Sequence, residues 1–148
     1  MLLIEKVLAL KKARIFSEIP ENDLIDTASI IVEVPMEIGQ KIFSKNDQGD
    51  SMYIIHSGCV RVHDGEHTLA FLRENDVFGE LSLLDAEKRS ASVSCEEPGL
   101  LLQLNQQPFY EILGDNIEIL KGILKTMCGR IRLLDEEATD LYRRLIQR

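Results

Sequence analysis

Hydrophobic positions change period twice along the chain. Leu3, Val7 and Leu10 share one helical face, with Lys6, Lys11 and Lys12 turned away, which predicts a first helix. Phe16 and Ile19 lead to Pro20, a residue suited to the start of a second short helix, and Leu24, Ala28 and Ile31 then repeat at helical spacing. From Val32 the period becomes two. Strand-like runs occupy Val32–Glu37, Lys41–Ser44, Ser51–Ser57, Val60–His63, Thr68–Leu72, Ser90–Cys95 and Leu100–Leu104. Turn residues separate them: Gly39, the Asn46–Asp50 cluster, Gly58, Asp64-Gly65 and Pro98-Gly99. Asp64-Gly65 is a hairpin signal, and many short strands at close spacing predict a small antiparallel roll or barrel. Gly79–Arg89 breaks the strand rhythm.

Helical spacing returns at Gln106. Phe109, Ile112 and Leu113 fit a short helix stopping at Gly114, a C′ glycine. Asp115 with Glu118 three residues on reads as a capping box opening a helix to about Ile146, ~48 Å long at 1.5 Å per residue. Its apolar positions Leu120, Leu124, Met127, Ile131, Leu134, Ala138, Leu141 and Leu145 alternate spacings of four and three, an unbroken heptad seam. Gly122 and Gly129 fall on the outward f position, and Arg130 at g with Asp135 at the next e suits pairing across a parallel homodimer. A helix of this length outreaches a small roll.

The chain has 148 residues, enough for one domain with its own core. Its net charge is −8, which argues against direct nucleic-acid binding through a general excess of Lys and Arg. Residues 34–104 hold the imbalance, with 6 basic against 12 acidic side chains. No apolar run suggests a membrane span, and the first residues lack the organisation of a secretory signal, so a cytoplasmic location is expected. Cys59, Cys95 and Cys128 are odd in number and far apart, which fits reduced, buried thiols rather than a disulfide framework or a zinc site. His63 and His67 flank a turn and do not share a helical face, and no nucleophile elbow or metal-ligand set is present. An enzyme is not expected, nor is a metal or a cofactor.

The informative stretch is Phe78-Gly79-Glu80-Leu81-Ser82-Leu83-Leu84-Asp85-Ala86-Glu87-Lys88-Arg89-Ser90-Ala91-Ser92-Val93. Gly79 allows a tight turn or a close ligand approach. Glu80 to Leu84 can form one helical turn whose free N–H groups suit an anion. Arg89 and Ser90 begin a strand that can return to the same place, bringing a forked permanent cation that matches a phosphate and a hydroxyl. Glu80 can accept bonds from a sugar hydroxyl. Together these residues make a pocket for one phosphate and one ribose.

The pattern Phe-Gly-Glu-Leu-Ser-Leu-Leu followed by Arg-Ser-Ala-Ser-Val, with Arg89 ten residues after Gly79, resembles the phosphate-binding cassette of cyclic nucleotide-binding domains. Gly49-Asp50-Ser51-Met52-Tyr53-Ile54-Ile55 and Ser57-Gly58-Cys59-Val60-Arg61-Val62 resemble that family's roll hairpin. The resemblance implies an α+β domain over residues 1–148. Residues 1–31 would be N-terminal helices, 32–104 an eight-stranded jelly-roll-type antiparallel β-roll like a double-stranded β-helix, and 105–148 the B and C helices. It further implies that Glu80 binds the ribose 2′-hydroxyl and Arg89 the cyclic phosphate. Backbone N–H groups near Leu81 and Ser82, with the Ser90 hydroxyl, would complete the cradle, and Gly79 would keep the wall close. Val93 would pack on the base, under a lid for which Thr126, Cys128 and Arg130 are the candidates. Lys88 stands where many members have proline. The implied ligand is cAMP in preference to cGMP, and the implied role is a sensor whose C helix moves to control a fused or separate effector. The alternative is a degenerate roll that binds nothing and works as a dimerisation module through its coiled coil. With 44 residues after Leu104, given to two helices, no DNA-binding domain is expected in this chain.

Overall fold

The computed structural model describes residues 1–147; Arg148, the last residue of the expected domain, lies outside the described residues. Helix α1 (Leu3–Leu10), two 3-10 turns (Arg14–Phe16 and Glu21–Leu24) and α2 (Ile25–Ser29) precede eight strands: β1 (Val32–Met36), β2 (Lys41–Phe43), β3 (Gln48–Gly49), β4 (Ser51–Asp64), β5 (His67–Leu72), β6 (Val77–Phe78), β7 (Glu87–Lys88) and β8 (Ser92–Asn105). Helix α3 (Glu80–Leu84) interrupts the strands between β6 and β7, and α4 (Gln106–Asp115) and α5 (Ile117–Ile146) close the chain. The expected α+β roll is the architecture observed. Its main sheet runs β1-β8-β4-β5, with β2 also on β8 and β6 also on β4, while β3 and β7 form a separate antiparallel pair.

Three boundaries differ from the sequence reading. The runs at Ser51–Ser57 and Val60–His63 are one strand, β4, and those at Ser90–Cys95 and Leu100–Leu104 are joined in β8, which starts only at Ser92, so Arg89 and Ser90 precede the strand they were expected to begin. The two strands pair antiparallel from Ser51↔Asn105 to His63↔Ser92, with register shifts between Ile55 and Val60. Gly58 (φ +90°) and Gly99 therefore face each other across a bend in a continuous ladder and do not form loops. A Cβ at Gly99 would lie 2.1 Å from the Ser57 carbonyl oxygen, so turn-type residues mark a bulge at this point. The two-residue strands β3, β6 and β7 are too short for periodicity to reveal.

β4 explains why Met52-Tyr53-Ile54-Ile55 reads as a solid apolar run. Met52 and Ile54 face a core shared with the helices, among Phe16, Leu24, Phe109, Ile119 and Ile123. Tyr53 and Ile55 face the roll interior, with Met36, Val60, Phe78, Val93 and Leu101. A strand buried on both faces keeps apolar residues at every position. Phe16 meets Phe109 edge-on, with centroids 5.6 Å apart and rings at 84°, which ties the N-terminal turn to α4.

The C-terminal helices need three corrections. Gly114 lies inside α4, which continues to Asp115, so it is not the stop. The cap of α5 is Asn116, whose side chain accepts from the Glu118 N–H at 3.1 Å. Asp115 instead completes the preceding helix, because the break in backbone direction falls at Asn116 (φ −139°, ψ 90°). Gly122 faces inward, since a Cβ there would lie 2.5 Å from Ile19 Cγ1. The side of α5 that packs on the domain lies largely opposite the heptad seam, through Ile119, Gly122 and Ile123, but Met127 of the seam also packs against the shared core. The seam residues Leu124, Ile131, Leu134, Leu141 and Leu145 are exposed. Cys59 and Cys95 are buried thiols, and burial pushes both above the usual thiol range. Cys128 is exposed, against the expectation of burial.

Candidate functional site

The β6–α3–β7 segment forms one wall of an open cleft of about 950 Å³. Gly79 adopts a left-handed conformation (φ 74°, ψ 16°) as the N-cap of α3. A Cβ there would lie 2.7 Å from both the Ser51 carbonyl oxygen and Arg89 Nη1, so Gly79 meets a conformational and a steric demand at once. Leu83 is fully buried and seats α3 in the shared core. Gln106 Nε2 donates to the Leu83 carbonyl at 3.2 Å, and the Tyr110 hydroxyl donates to the Leu84 carbonyl. Helix α4 thereby grips the C-terminal end of α3.

Arg89 is 7% exposed. Its backbone N–H donates to the Asp47 carbonyl and its carbonyl accepts from the Asn46 N–H, both at 2.8 Å. The pairing Gln48↔Lys88 and Gly49↔Glu87 holds the same segment. The side chain donates from Nη2 to the Ser51 carbonyl at 2.9 Å and from Nη1 to Ser82 Oγ at 3.2 Å. The guanidinium lies 4.1 Å from the Phe43 ring centroid, in cation–π contact. Among the described residues it forms no ion pair. Burial lowers its pKa, against partial opposition from Tyr53, Asp50 and Asp47, yet a guanidinium stays charged at any physiological pH. The site therefore holds a desolvated, oriented cation with N–H donors to spare and no ion-pair partner among the described residues. An anion in the cleft is the natural counterpart.

The cleft is lined by Gly79, Glu80, Leu81, Ser82, Arg89, Ser90 and Val93, and from α5 by Arg130. Of the three lid candidates, the fold brings only Arg130 to this cleft. The Thr126 hydroxyl donates to the Gly122 carbonyl at 3.1 Å and lines a separate recess, and Cys128 is exposed. The Ser82 N–H donates to the Gly79 carbonyl at 3.1 Å, inside the turn. Glu80 Oε1 accepts from the backbone N–H of Ile15 at 3.1 Å, which binds the cassette to the N-terminal 3-10 turn.

Several site features escaped the sequence reading. Phe43 stacks on Arg89, and the Ser51 carbonyl orients it. Gly49 leaves it room, since a Cβ there would lie 2.4 Å from Arg89 Nε. Lys12 and Arg14 also line the cleft. Gly49 and Ser51 carried a signal only as part of the roll-hairpin stretch, with nothing to link them to Arg89, and Phe43, Lys12 and Arg14 come from segments distant in sequence with no motif of their own.

Comparison with known proteins gives concordant findings. The family model described as cyclic nucleotide-binding domain matches residues 33–116. The chain is 30% identical over 114 residues to the cAMP-dependent protein kinase regulatory subunit of Debaryomyces hansenii, covering 76% of this chain and 25% of that protein. It is 35% identical over 104 residues to the cyclic AMP receptor protein of Thermus thermophilus, covering 67% of this chain and 48% of that protein. cGMP-dependent protein kinases match at similar identity. The chain thus spans less than half the length of both curated relatives described. Among solved structures, the N-terminal domain of a transcriptional regulator from Streptomyces coelicolor superposes with a TM-score of 0.80 at 22% identity, over 88% of this chain and 94% of that one.

Proposed function

The chain belongs to the cyclic nucleotide-binding domain family, and on that premise we propose that it is a non-catalytic sensor of a 3′,5′-cyclic mononucleotide, cAMP in preference to cGMP. The observation that carries this reading is Arg89: buried, oriented by Ser51 and Ser82, unpaired with any carboxylate among the described residues, and open to the cleft. In this reading Arg89, Ser82, Ser90 and the N–H groups near Leu81 hold the phosphate. Glu80 takes the ribose 2′-hydroxyl with its second carboxylate oxygen, Gly79 keeps the wall close, and Val93 and Arg130 flank the base. The preference for cAMP follows the relatives in Debaryomyces and Thermus, while cGMP-dependent protein kinases match at similar identity, so the comparison of the two nucleotides in the test below decides between them.

Ligand binding acts by population shift between arrangements of the C-terminal helices. The linkage Glu80–Ile15 supports this: the 3-10 turn that holds Glu80 packs against α5, and α4 holds α3 directly. A ligand that draws on Glu80 and α3 therefore loads both helices, with the break at Asn116 as the hinge. The exposed seam of α5 completes the device as a parallel homodimer, so that helix movement changes the geometry between protomers for a fused or separate effector. No helix among the described residues is long and apolar enough to cross a membrane, and the sensor's place of action is proposed to be the cytoplasm.

Thermal unfolding of ligand-stripped protein with cAMP, cGMP and 5′-AMP tests the reading. At a hundredfold excess over Kd, binding adds about 2.7 kcal/mol, a Tm rise of roughly 5–11 °C at this length. A rise with a cyclic nucleotide and none with 5′-AMP is expected, larger for cAMP. No rise with any of the three would favour the non-binding dimerisation module. The dimer is tested separately: Ile131→Asp with Leu134→Asp is expected to sediment as a monomer, with the unfolding of the roll little changed, because both side chains are more than half exposed in the single chain. Unchanged sedimentation would remove the seam as the interface.

A further inference from the structure

Three cationic side chains that line the cleft, Lys12, Arg14 and Arg130, lie outside the Gly79–Ser90 cassette. With Lys88 and Arg89, five cationic side chains line the cleft. Four carboxylates line it as well: Asp76, Glu80, Asp85 and Glu87. Cations therefore outnumber carboxylates in the cleft of a chain whose net charge is −8. Two of the carboxylates are already engaged with backbone, Glu80 with the Ile15 N–H and Asp76 with the Arg73 N–H at 2.8 Å.

The cations form two groups. Lys88 and Arg89 belong to the cassette. Lys12, Arg14 and Arg130 surround the 3-10 turn at Arg14–Phe16: Lys12 and Arg14 flank its start in sequence, and α5, which carries Arg130, packs against it. Lys12 is held by Asn75, its Nζ donating to Oδ1 at 2.6 Å, in the turn before β6. Neither Arg14 nor Arg130 forms a side-chain hydrogen bond or an ion pair among the described residues, although Arg130 is half-buried. The basic surface continues past Arg130 into a second recess of about 340 Å³ that Lys125 and Arg132 also line. Of these, Lys125 is paired, with Glu18 at 3.9 Å. The cleft itself is at the upper end of the roughly 300–1,000 Å³ that accommodates a drug-sized ligand, so a mononucleotide seated at Arg89 leaves room toward the turn.

We propose that Lys12, Arg14 and Arg130 form a second anion subsite in the cleft, and that the site accepts a nucleotide carrying two phosphates, a 3′,5′-linked cyclic dinucleotide being the compact form of that chemistry. One phosphate lies on Arg89 and Ser82, and the second lies between the N-terminal turn and α5. This inference rests on the reading of Arg89 as a phosphate ligand. It adds to that reading a second use of Arg130, which flanks the base of a bound mononucleotide and, with a dinucleotide, meets the second phosphate from the helix that the sensor has to move.

The test is equilibrium binding to the full chain of cAMP, cyclic di-AMP and cyclic di-GMP, with inorganic pyrophosphate as the probe of an adventitious anion. Wild type is compared with the double variant Lys12→Gln, Arg14→Gln, whose two side chains are exposed. A cyclic dinucleotide is expected to bind, and the double variant to weaken it at least tenfold while its cAMP affinity and Tm stay close to wild type. Binding of cAMP without binding of either dinucleotide, or dinucleotide binding that survives the double variant, overturns the second subsite and leaves the sensor reading standing. Pyrophosphate binding as well as the dinucleotide shows an adventitious ion site only and also overturns it. Absence of binding by every nucleotide rejects the sensor reading together with the subsite.

Discussion

Replacing Arg89 by alanine is expected to weaken cyclic nucleotide binding by at least a hundredfold while the chain remains folded. A phosphate about 4 Å from the guanidinium gains roughly 4 kcal/mol at an effective dielectric near 20, which corresponds to about a thousandfold in affinity. The side chain is already desolvated and oriented by the fold, stacked on Phe43 and bonded to the Ser51 carbonyl, so little of that gain is spent on ordering it when ligand arrives. Removing the side chain leaves the Ser51 carbonyl without this donor, but it also removes a buried cation with no ion-pair partner among the described residues. These effects on stability oppose one another. Isothermal titration gives the affinity and thermal unfolding the stability. Arg89→Lys should fall between wild type and alanine, because it keeps the charge and loses both the fork and the planar stack. An alanine variant within threefold of wild-type affinity would take Arg89 out of the site.

Gly49→Ala is expected to weaken binding at least tenfold through Arg89 alone. A Cβ at this position would lie 2.4 Å from Nε and 2.7 Å from both Cδ and Cζ of Arg89. Gly49 has no left-handed backbone, so the substitution adds no conformational strain and the effect is steric. Arg89 cannot simply swing aside, because its backbone is pinned to the Asn46–Asp47 turn and its guanidinium is held between Phe43 and Ser51. Either the guanidinium or the β3–β7 pair must shift by about an ångström, a displacement large enough to degrade a preorganised site substantially. Gly129→Ala serves as the contrast: nothing lies within 4 Å of its added methyl. It should leave affinity unchanged and raise helix stability by up to about 1 kcal/mol. Equal affinities for Gly49→Ala and wild type would show that the packing of Arg89 against Gly49 does not position the cation.

The legible parts of the molecule were those governed by local chemistry. Alternation from Val32 onward, the hairpin signal at Asp64-Gly65 and the helical spacing of Phe109, Ile112 and Leu113 all report on neighbours in sequence, and each has its element in the structure, the hairpin with its turn one residue later, at Gly65-Glu66. The misread parts needed a partner to interpret. Gly58 and Pro98-Gly99 look like loops in isolation, and only the ladder between β4 and β8 makes them two sides of one bend. Gly122 sits on the back of a heptad seam, which is outward for a coiled coil and inward for the domain that carries it, against Ile19. The cassette could be recognised because its residues lie within a dozen positions of one another. Its supports on Phe43, Gly49, Ser51 and Ile15 could not, because no spacing links them to Arg89 or Glu80.

By itself the sequence determined the alternation that builds a roll, the chemical groups of the cassette and the apolar seam of the last helix, since periodicity and residue type are written one position at a time. Only the tertiary structure decided that Arg89 is a buried cation without an ion pair among the described residues, that Glu80 is held by the N-terminal turn, and that Arg130 rather than Thr126 or Cys128 reaches the cleft. The physical reason is that burial, desolvation and orientation are properties of what surrounds a side chain. Around this cleft the surroundings come from strand, turn and helix segments that lie as far apart in the chain as Lys12 and Arg130.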